Sequence, residues 1–171
     1  MIKFSVITCT YNASAVLART LDSVLEQSWT QIEHIIIDGA SKDNTLAMAE
    51  DYSRKNEEEE TEHEVVIISE PDRGLYDAMN KGLARATGDY IVYLNAGDVF
   101  PSDETLEQIS IEVNNRSDGK LPAVLYGDTN IVDDEGLLLH PRRLASPDNL
   151  TWRSFRHGML VCHQAFYART D

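Results

Sequence analysis

Four short apolar runs constrain the fold of this chain more than any other feature. Phe4-Ser5-Val6-Ile7-Thr8, Ile32 to Ile37, Val65-Val66-Ile67-Ile68 and Tyr90-Ile91-Val92-Tyr93-Leu94 each break off at small polar residues. Runs rich in β-branched residues and bounded by turn formers read as buried strands. Helical patterns fall between them: Val16, Leu17, Leu21, Val24 and Leu25 after the first, with Asn12 or Ser14 as its N-cap, and Thr45 to about Asn56 after the second. Leu75, Met79, Leu83 and Ala86 follow the third, with Gly88 as the stop, and Pro101-Ser102-Asp103 opens a fourth helix to about Asn114. Strand and helix alternating in this way give a parallel sheet with right-handed crossovers.

The later pattern makes the sheet mixed. A polar loop, Asn115 to Pro122, leads to a fifth strand at Ala123-Val124-Leu125-Tyr126. Thr129 to Val132 and Leu137 to His140 read as an antiparallel hairpin around Asp133-Asp134-Glu135-Gly136. Pro141 to Gly158 reads as irregular structure or a short helix, and Met159 to Cys162 and Ala165 to Ala168 as short β segments. With no internal repeat or linker, residues 1–171 form one α/β domain.

Gly88-Asp89-Tyr90-Ile91-Val92-Tyr93-Leu94-Asn95-Ala96-Gly97-Asp98 delivers a carboxylate to the carboxyl edge of the sheet, where open α/β folds place ligands. Taken alone it also fits a strand followed by an ordinary turn. The repetition favours a site, because four strands end on Thr8, Asp38, Asp98 and Asp128 at the same edge. Carboxylates gathered there repel one another unless a cation or donor-rich ligand lies between them. Mg²⁺ or Mn²⁺ suits such an oxygen-rich set, with ligand phosphates and water completing the shell.

Charge narrows the partners. Lys and Arg total 15 against 29 acidic residues, a net −14, so nucleic acid is a poor partner. Asn56-Glu57-Glu58-Glu59-Glu60-Thr61-Glu62 is a self-repelling run read as a solvated helix end or loop. No apolar run is long enough to span a bilayer and no signal peptide is visible. Cys9 and Cys162 lack metal-type spacing and read as reduced thiols in a cytoplasmic protein. The Gly-x-Gly-x-x-Gly fingerprint, the phosphate loop and the Gly-x-Ser-x-Gly elbow are all missing, which disfavours dinucleotide oxidoreductases, ATPases and serine hydrolases.

In order and spacing, four segments resemble family 2 glycosyltransferases. They are Ser5-Val6-Ile7-Thr8-Cys9-Thr10-Tyr11-Asn12, Ile36 to Thr45, Arg73-Gly74-Leu75-Tyr76-Asp77-Ala78-Met79-Asn80-Lys81-Gly82, and Ala86-Thr87-Gly88-Asp89-Tyr90 to Asp98. The resemblance implies a GT-A, Rossmann-like fold that binds a nucleotide sugar and transfers the sugar with inversion. It places Thr8, Tyr11 and Asn12 around the base and makes Asp38 its hydrogen-bond acceptor, a pairing that suits uracil. Arg73 would lie near the nucleotide, and Asn80 and Lys81 would flank base and sugar. Asn95-Ala96-Gly97-Asp98 matches the Asp-x-Asp-type motif, with Asp98 holding a divalent cation, Mg²⁺ or Mn²⁺. Gly97 stands where many relatives carry an aspartate that touches the ribose. Asp128 and His163-Gln164 match positions near sugar and acceptor, with His163 a metal, phosphate or acceptor contact.

The family's catalytic base lies in a segment after the His-Gln strand, so it is expected beyond Asp171, in an acceptor-side segment that this chain lacks. The expected activity is transfer from a nucleoside-diphosphate sugar, UDP-sugar favoured, to a glycan or lipid-linked acceptor in cell-surface polysaccharide synthesis. The expected location is cytoplasmic, at the cytosolic face of a membrane to which the protein associates peripherally. The alternatives are a nucleotide-sugar-binding domain without turnover and a sugar nucleotidyltransferase, whose glycine-rich N-terminal loop is not found.

Overall fold

The computed structural model describes residues 1–117, 119–133 and 136–171, with nothing assigned for the side chain of His157. In chain order the elements are β1 (Phe4–Thr10), α1 (Leu17–Leu25), β2 (Ile32–Asp38), α2 (Thr45–Glu58), β3 (Glu64–Ser69), α3 (Leu75–Leu83), β4 (Tyr90–Tyr93) and α4 (Thr105–Asn114). They continue with β5 (Val124–Tyr126), β6 (Asn130–Val132), β7 (Leu138–Pro141), 3₁₀ turns at Trp152–His157 and His163–Ala165, and β8 (Phe166–Arg169). The main sheet runs β3-β2-β1-β4-β8-β5, with the first four strands parallel and β8 antiparallel to both β4 and β5. β6 and β7 pair antiparallel as the expected hairpin. Its expected turn residues Asp134 and Glu135 lie outside the described residues, as does Asp118 of the expected loop.

The pleat divides the side chains between two cores. Phe4, Val6, Ile32, Ile36 and Val92 face α1, α2 and α4, packing on Val24, Leu17, Leu21, Tyr52, Leu106 and Val113. Ile7, Cys9, Ile35, Ile37 and Ile91 face α3, where Ala78 and Met79 cover them. The sequence pattern put Leu75, Met79, Leu83 and Ala86 on the buried stripe of α3. In the structure Leu75 and Leu83 are exposed, and the fully buried positions are Ala78 and Gly82. Small residues let the helix approach the sheet so closely that a Cβ on Gly82 would fall 2.4 Å from Ile7 Cγ2.

Gly88 does not stop α3, which ends at Leu83. It lies where a Cβ would meet Ser5 N and Lys3 O at 2.8 Å, because the chain entering β4 crosses the start of β1 there. The same amino edge carries a buried polar cluster. Glu33 accepts from Ser5 Oγ at 2.7 Å, Thr87 N at 2.9 Å and Thr87 Oγ1 at 2.5 Å, with Lys3 Nζ 3.4 Å away. Burial pushes the Glu33 carboxyl up, but the Thr87 and Ser5 hydrogen bonds and the Lys3 charge outweigh it and hold it below its ordinary value. Met159 to Cys162, expected as β, is not a strand; Val161 is buried and the chain turns there into the His163 3₁₀ turn.

Gly82→Ala is expected to cost about 1–3 kcal/mol of stability by overpacking Ile7, read as a lower urea midpoint. Glu33→Gln is expected to lower stability at neutral pH by about 1–3 kcal/mol. Because the folded carboxyl titrates below its unfolded value, this contribution is present above about pH 4.3 and fades as pH falls through the folded pKa. The urea-midpoint gap between wild type and Glu33→Gln should therefore close in acid.

Candidate functional site

The carboxyl ends of β1, β2 and β4, together with β5 and the His163 turn, open on one edge that holds two pockets. The first, about 610 Å³, is lined by Cys9, Thr10, Tyr11, Gly39, Asp72 and Leu75 among others. The second, about 740 Å³, includes Gly97, Asp98, Tyr126, Asp128, Cys162 and Gln164.

Asp38 is fully buried beneath this edge. Its Oδ1 accepts from Ser41 Oγ at 2.5 Å, and its Oδ2 from Ser69 Oγ at 2.6 Å and Ser41 N at 3.1 Å. It therefore clamps the ends of β2 and β3 and faces neither pocket. The expectation that Asp38, Asp98 and Asp128 gather around one ligand is corrected accordingly: no group of three or more His, Cys, Asp or Glu able to hold a metal occurs among the described residues. Thr8 is also buried rather than open to a ligand, donating to Leu94 O at 2.8 Å and bonded to His34 Nε2 at 2.9 Å. Burial drives the His34 imidazole down to about 3, so it stays neutral between Thr8 and Tyr52 Oη.

Thr10, and not Thr8, is in the lining of the first pocket, and its Oγ1 is buried without a hydrogen-bond partner. Tyr11 stands beside it, 61% exposed. Asn12 lines the loop rather than the pocket. It adopts φ +47, accepts from Lys42 N at 2.9 Å, and donates its own N–H to Ser41 Oγ at 2.8 Å. The next two N–H groups, of Ala13 and Ser14, donate to Thr45 Oγ1 and Asp43 Oδ2. Neither Asn12 nor Ser14 caps α1 as expected, since Val16 occupies that position without a side-chain cap. The two loops instead latch to each other. The Thr45 hydroxyl, first among several donors, holds the Asp43 carboxyl well below the usual range.

Arg73, Asn80 and Lys81 do not line either pocket. Arg73 has 89% of its side chain exposed and pairs with Asp77 at 3.1 Å; Asn80 is exposed. Lys81 Nζ donates to Pro71 O at 2.8 Å and pairs with Glu70 at 2.9 Å, fixing the turn that carries Asp72.

At the other end, Asn95-Ala96-Gly97-Asp98 extends β4 alongside β1, with Leu94 N donating to Ile7 O at 3.0 Å and Asp98 N closing a turn on Asn95 O at 2.9 Å. Gly97 has φ +100, a region that favours glycine, and its N–H is held by Thr20 Oγ1 at 2.8 Å. Asp98 Oδ2 accepts from Gln164 Nε2 at 2.8 Å, and the Cys162 thiol donates to Gln164 Oε1 at 2.6 Å, setting which end of that amide faces Asp98. His163 Nε2 lies 2.8 Å from Asn95 Nδ2, while Asn95 Oδ1 is buried and unpartnered. Asp98 thus lies in the second pocket with Gln164, while Asn95 and His163 bond to each other and line neither pocket. The Asp98 carboxylate and the orphaned Asn95 amide oxygen are the hard donors that suit a divalent cation taking its remaining ligands from phosphate and water, whereas the His163 Nε2 lone pair is taken by the Asn95 amide. Asp128 shares the pocket of Asp98. Its carboxyl is held below the usual range by the N–H of Ser146, whose N lies 2.8 Å from Oδ1.

Two pocket residues escaped the sequence analysis. Thr10 was passed over for Thr8, although the pairing of Thr10 with Asp38 makes it the last strand residue. Asp72, between β3 and α3, belongs to neither a strand end nor one of the four resembling segments.

Residues 5–170 match the family described as Glycosyl transferase family 2. Over 166 residues the chain is 34% identical to the PGL/p-HBAD biosynthesis glycosyltransferase of Mycobacterium bovis (strain BCG / Pasteur 1173P2), covering 97% of this chain and 59% of that protein. It is 32% identical over 141 residues to the amylovoran biosynthesis glycosyltransferase AmsB of Erwinia amylovora, covering 80% of this chain and 44% of that one. The chain therefore spans less than two thirds of these relatives. Among solved structures it is similar to S. aureus TarS 1-349 in complex with UDP-GlcNAc, with a TM-score of 0.62 and 26% identity over 76% of this chain and 35% of that one. The mannosyltransferase PcManGT from Pyrobaculum calidifontis shares the fold, with a TM-score of 0.59 at 24% identity over 77% of this chain and 36% of that one.

Replacing Asp38 with Asn puts an amide among donors that need acceptors. Asp38→Asn is expected to lose about 1–3 kcal/mol of stability, measured by urea unfolding; an unchanged midpoint would contradict its role as a clamp.

Proposed function

This chain belongs to glycosyl transferase family 2, and on that premise we propose that it binds a nucleoside-diphosphate sugar and supplies the donor half of an inverting sugar transfer. The observation that carries this is the polar group at the end of β4, where Asp98 enters the second pocket and the Asn95 amide oxygen is left unpartnered. A UDP-sugar is the favoured donor and a glycan or lipid-linked hydroxyl the acceptor. The relatives named for amylovoran and PGL/p-HBAD biosynthesis support placing the reaction in cell-surface polysaccharide or glycolipid synthesis. No helix among the described residues is long and apolar enough to cross a membrane. Work at the cytosolic face, through peripheral association, accords with a lipid-linked acceptor.

Asp98 and Asn95 Oδ1 would hold the divalent cation, Mg²⁺ or Mn²⁺, with His163 a phosphate or acceptor contact. When bound it supplies Lewis-acid stabilisation of the charge that grows on the departing diphosphate. Gln164 keeps Asp98 turned toward the pocket, and Thr20 holds the Gly97 turn in place. Tyr11 offers an exposed ring at the base end. Displacement by an acceptor hydroxyl inverts the anomeric carbon and requires a base within hydrogen-bond reach. Asp128 shares the pocket, but a carboxylate with a lowered pKa is a weak base, so it is assigned to sugar or acceptor contact. That weakness is the one observation favouring a second reading, a donor-binding module without turnover; Asp98-dependent hydrolysis of the donor would remove it.

Calorimetric titration of UDP with and without Mn²⁺ is expected to show at least about tenfold tighter binding with metal. Asp98→Ala should erase that difference. Equal binding by the wild type with and without metal would overturn the assignment.

A further inference from the structure

The first pocket brings a carboxylate, an aromatic ring and a glycine together: Asp72, Tyr11 and Gly39 all lie in its lining. Gly39 follows Asp38 directly, at a point where the chain passes under the pocket. A Cβ built on it would lie 2.5 Å from Asp72 Oδ2 and 3.2 Å from the ring of Tyr11. The space that a side chain at position 39 would fill is thus occupied by the carboxylate of Asp72, delivered from the β3–α3 turn. Asp72 Oδ1 accepts from Gly74 N at 2.7 Å, which fixes the carboxylate, while Oδ2 accepts no hydrogen bond among the described residues. Lys81, through Pro71 O and Glu70, braces the same turn. The Cys9 thiol in the same lining is pushed up to about 12, first by burial and then by the charge of Asp72, so it stays neutral there.

We propose that Asp72, in place of the saturated Asp38, is the residue that selects the base: its Oδ2 accepts the imide N–H of a uracil lying against Tyr11. The inference rests on the donor-binding role argued above and names the base that role requires. A carboxylate oxygen with no protein donor calls for an N–H on the base. The imide face of uracil presents one N–H between two carbonyl oxygens. Guanine presents two adjacent N–H groups that call for both oxygens of a carboxylate. Here one of the two is already committed to Gly74, so a single N–H is the better match. Leu75 and Ala78 complete a largely apolar slot for a planar ring.

The test compares UDP, GDP and inorganic pyrophosphate, each titrated with Mn²⁺ into the wild type and into Asp72→Asn. Asparagine retains the acceptor for Gly74 N, so the turn should survive; an unchanged melting temperature checks this. The wild type is expected to bind UDP at least about tenfold more tightly than GDP. Asp72→Asn should weaken UDP by about tenfold or more and leave pyrophosphate unchanged. If the wild type binds UDP but Asp72→Asn neither weakens it nor alters the preference over GDP, the assignment of Asp72 is overturned and the donor-binding reading stands. If the wild type binds neither nucleotide, both are overturned.

Discussion

Everything at the functional edge depends on β1 being held between two parallel partners in one register. Thr10 is paired with Asp38 across β2, and Ile7 with Tyr93 across β4, so three chain segments leave the sheet side by side. Parallel pairing requires the crossover helices, and those helices need both faces of the sheet to be apolar. That is why β1 and β2 are buried along their whole length. The cost of such burial is a set of polar groups that must find partners inside the protein. Glu33 meets it at the amino edge with Thr87, Ser5 and Lys3, and Asp38 at the carboxyl edge with Ser41 and Ser69. The first cluster supports the fold alone, whereas the second also sets the loop on which one pocket is built.

The edge has two chemically different ends. One is a mostly apolar slot with Tyr11 exposed, Thr10 unsatisfied and Asp72 leaning into the space over Gly39. The other is polar, with Asp98 positioned by Gln164, and Asn95 in contact with His163. A ligand with a planar heterocycle at one end and a multiply charged group at the other matches this division. The two glycines have different reasons. Gly97 is required by a positive φ, so an aspartate there would strain the turn. At Gly39 the space a side chain would take is already held by the Asp72 carboxylate.

Most of the fold was legible because the apolar runs and their helical interludes are long and periodic. β1 to β4 and α1 to α4 lie where the pattern puts them, and the late hairpin is present. The insertion of β8 between β4 and β5 was not legible, since pairing between strands distant in sequence leaves no local trace. The buried stripe of α3 was misread for a related reason: close approach at Gly82 makes small residues, not leucines, the contact surface. At the site, Tyr11 and Asp98 lie in pocket linings, whereas Asp38, Thr8, Arg73, Lys81 and His163 do not, because a motif gives residue type and order but not which hydrogen bonds a side chain has already made. Thr8 and Asp38 are consumed by the core, Arg73 by Asp77, and Lys81 by the turn it braces.

The central claim is that one nucleotide spans the edge from Asp72 to Asp98. A crystal structure of the protein grown with UDP and Mn²⁺ tests it most directly, using the anomalous signal of manganese to locate the metal. The account predicts manganese between Asp98 and the diphosphate, with the uracil ring against Tyr11 and its N–H on Asp72 Oδ2. Manganese bound away from Asp98, or a uracil ring outside the pocket over Gly39, would contradict it.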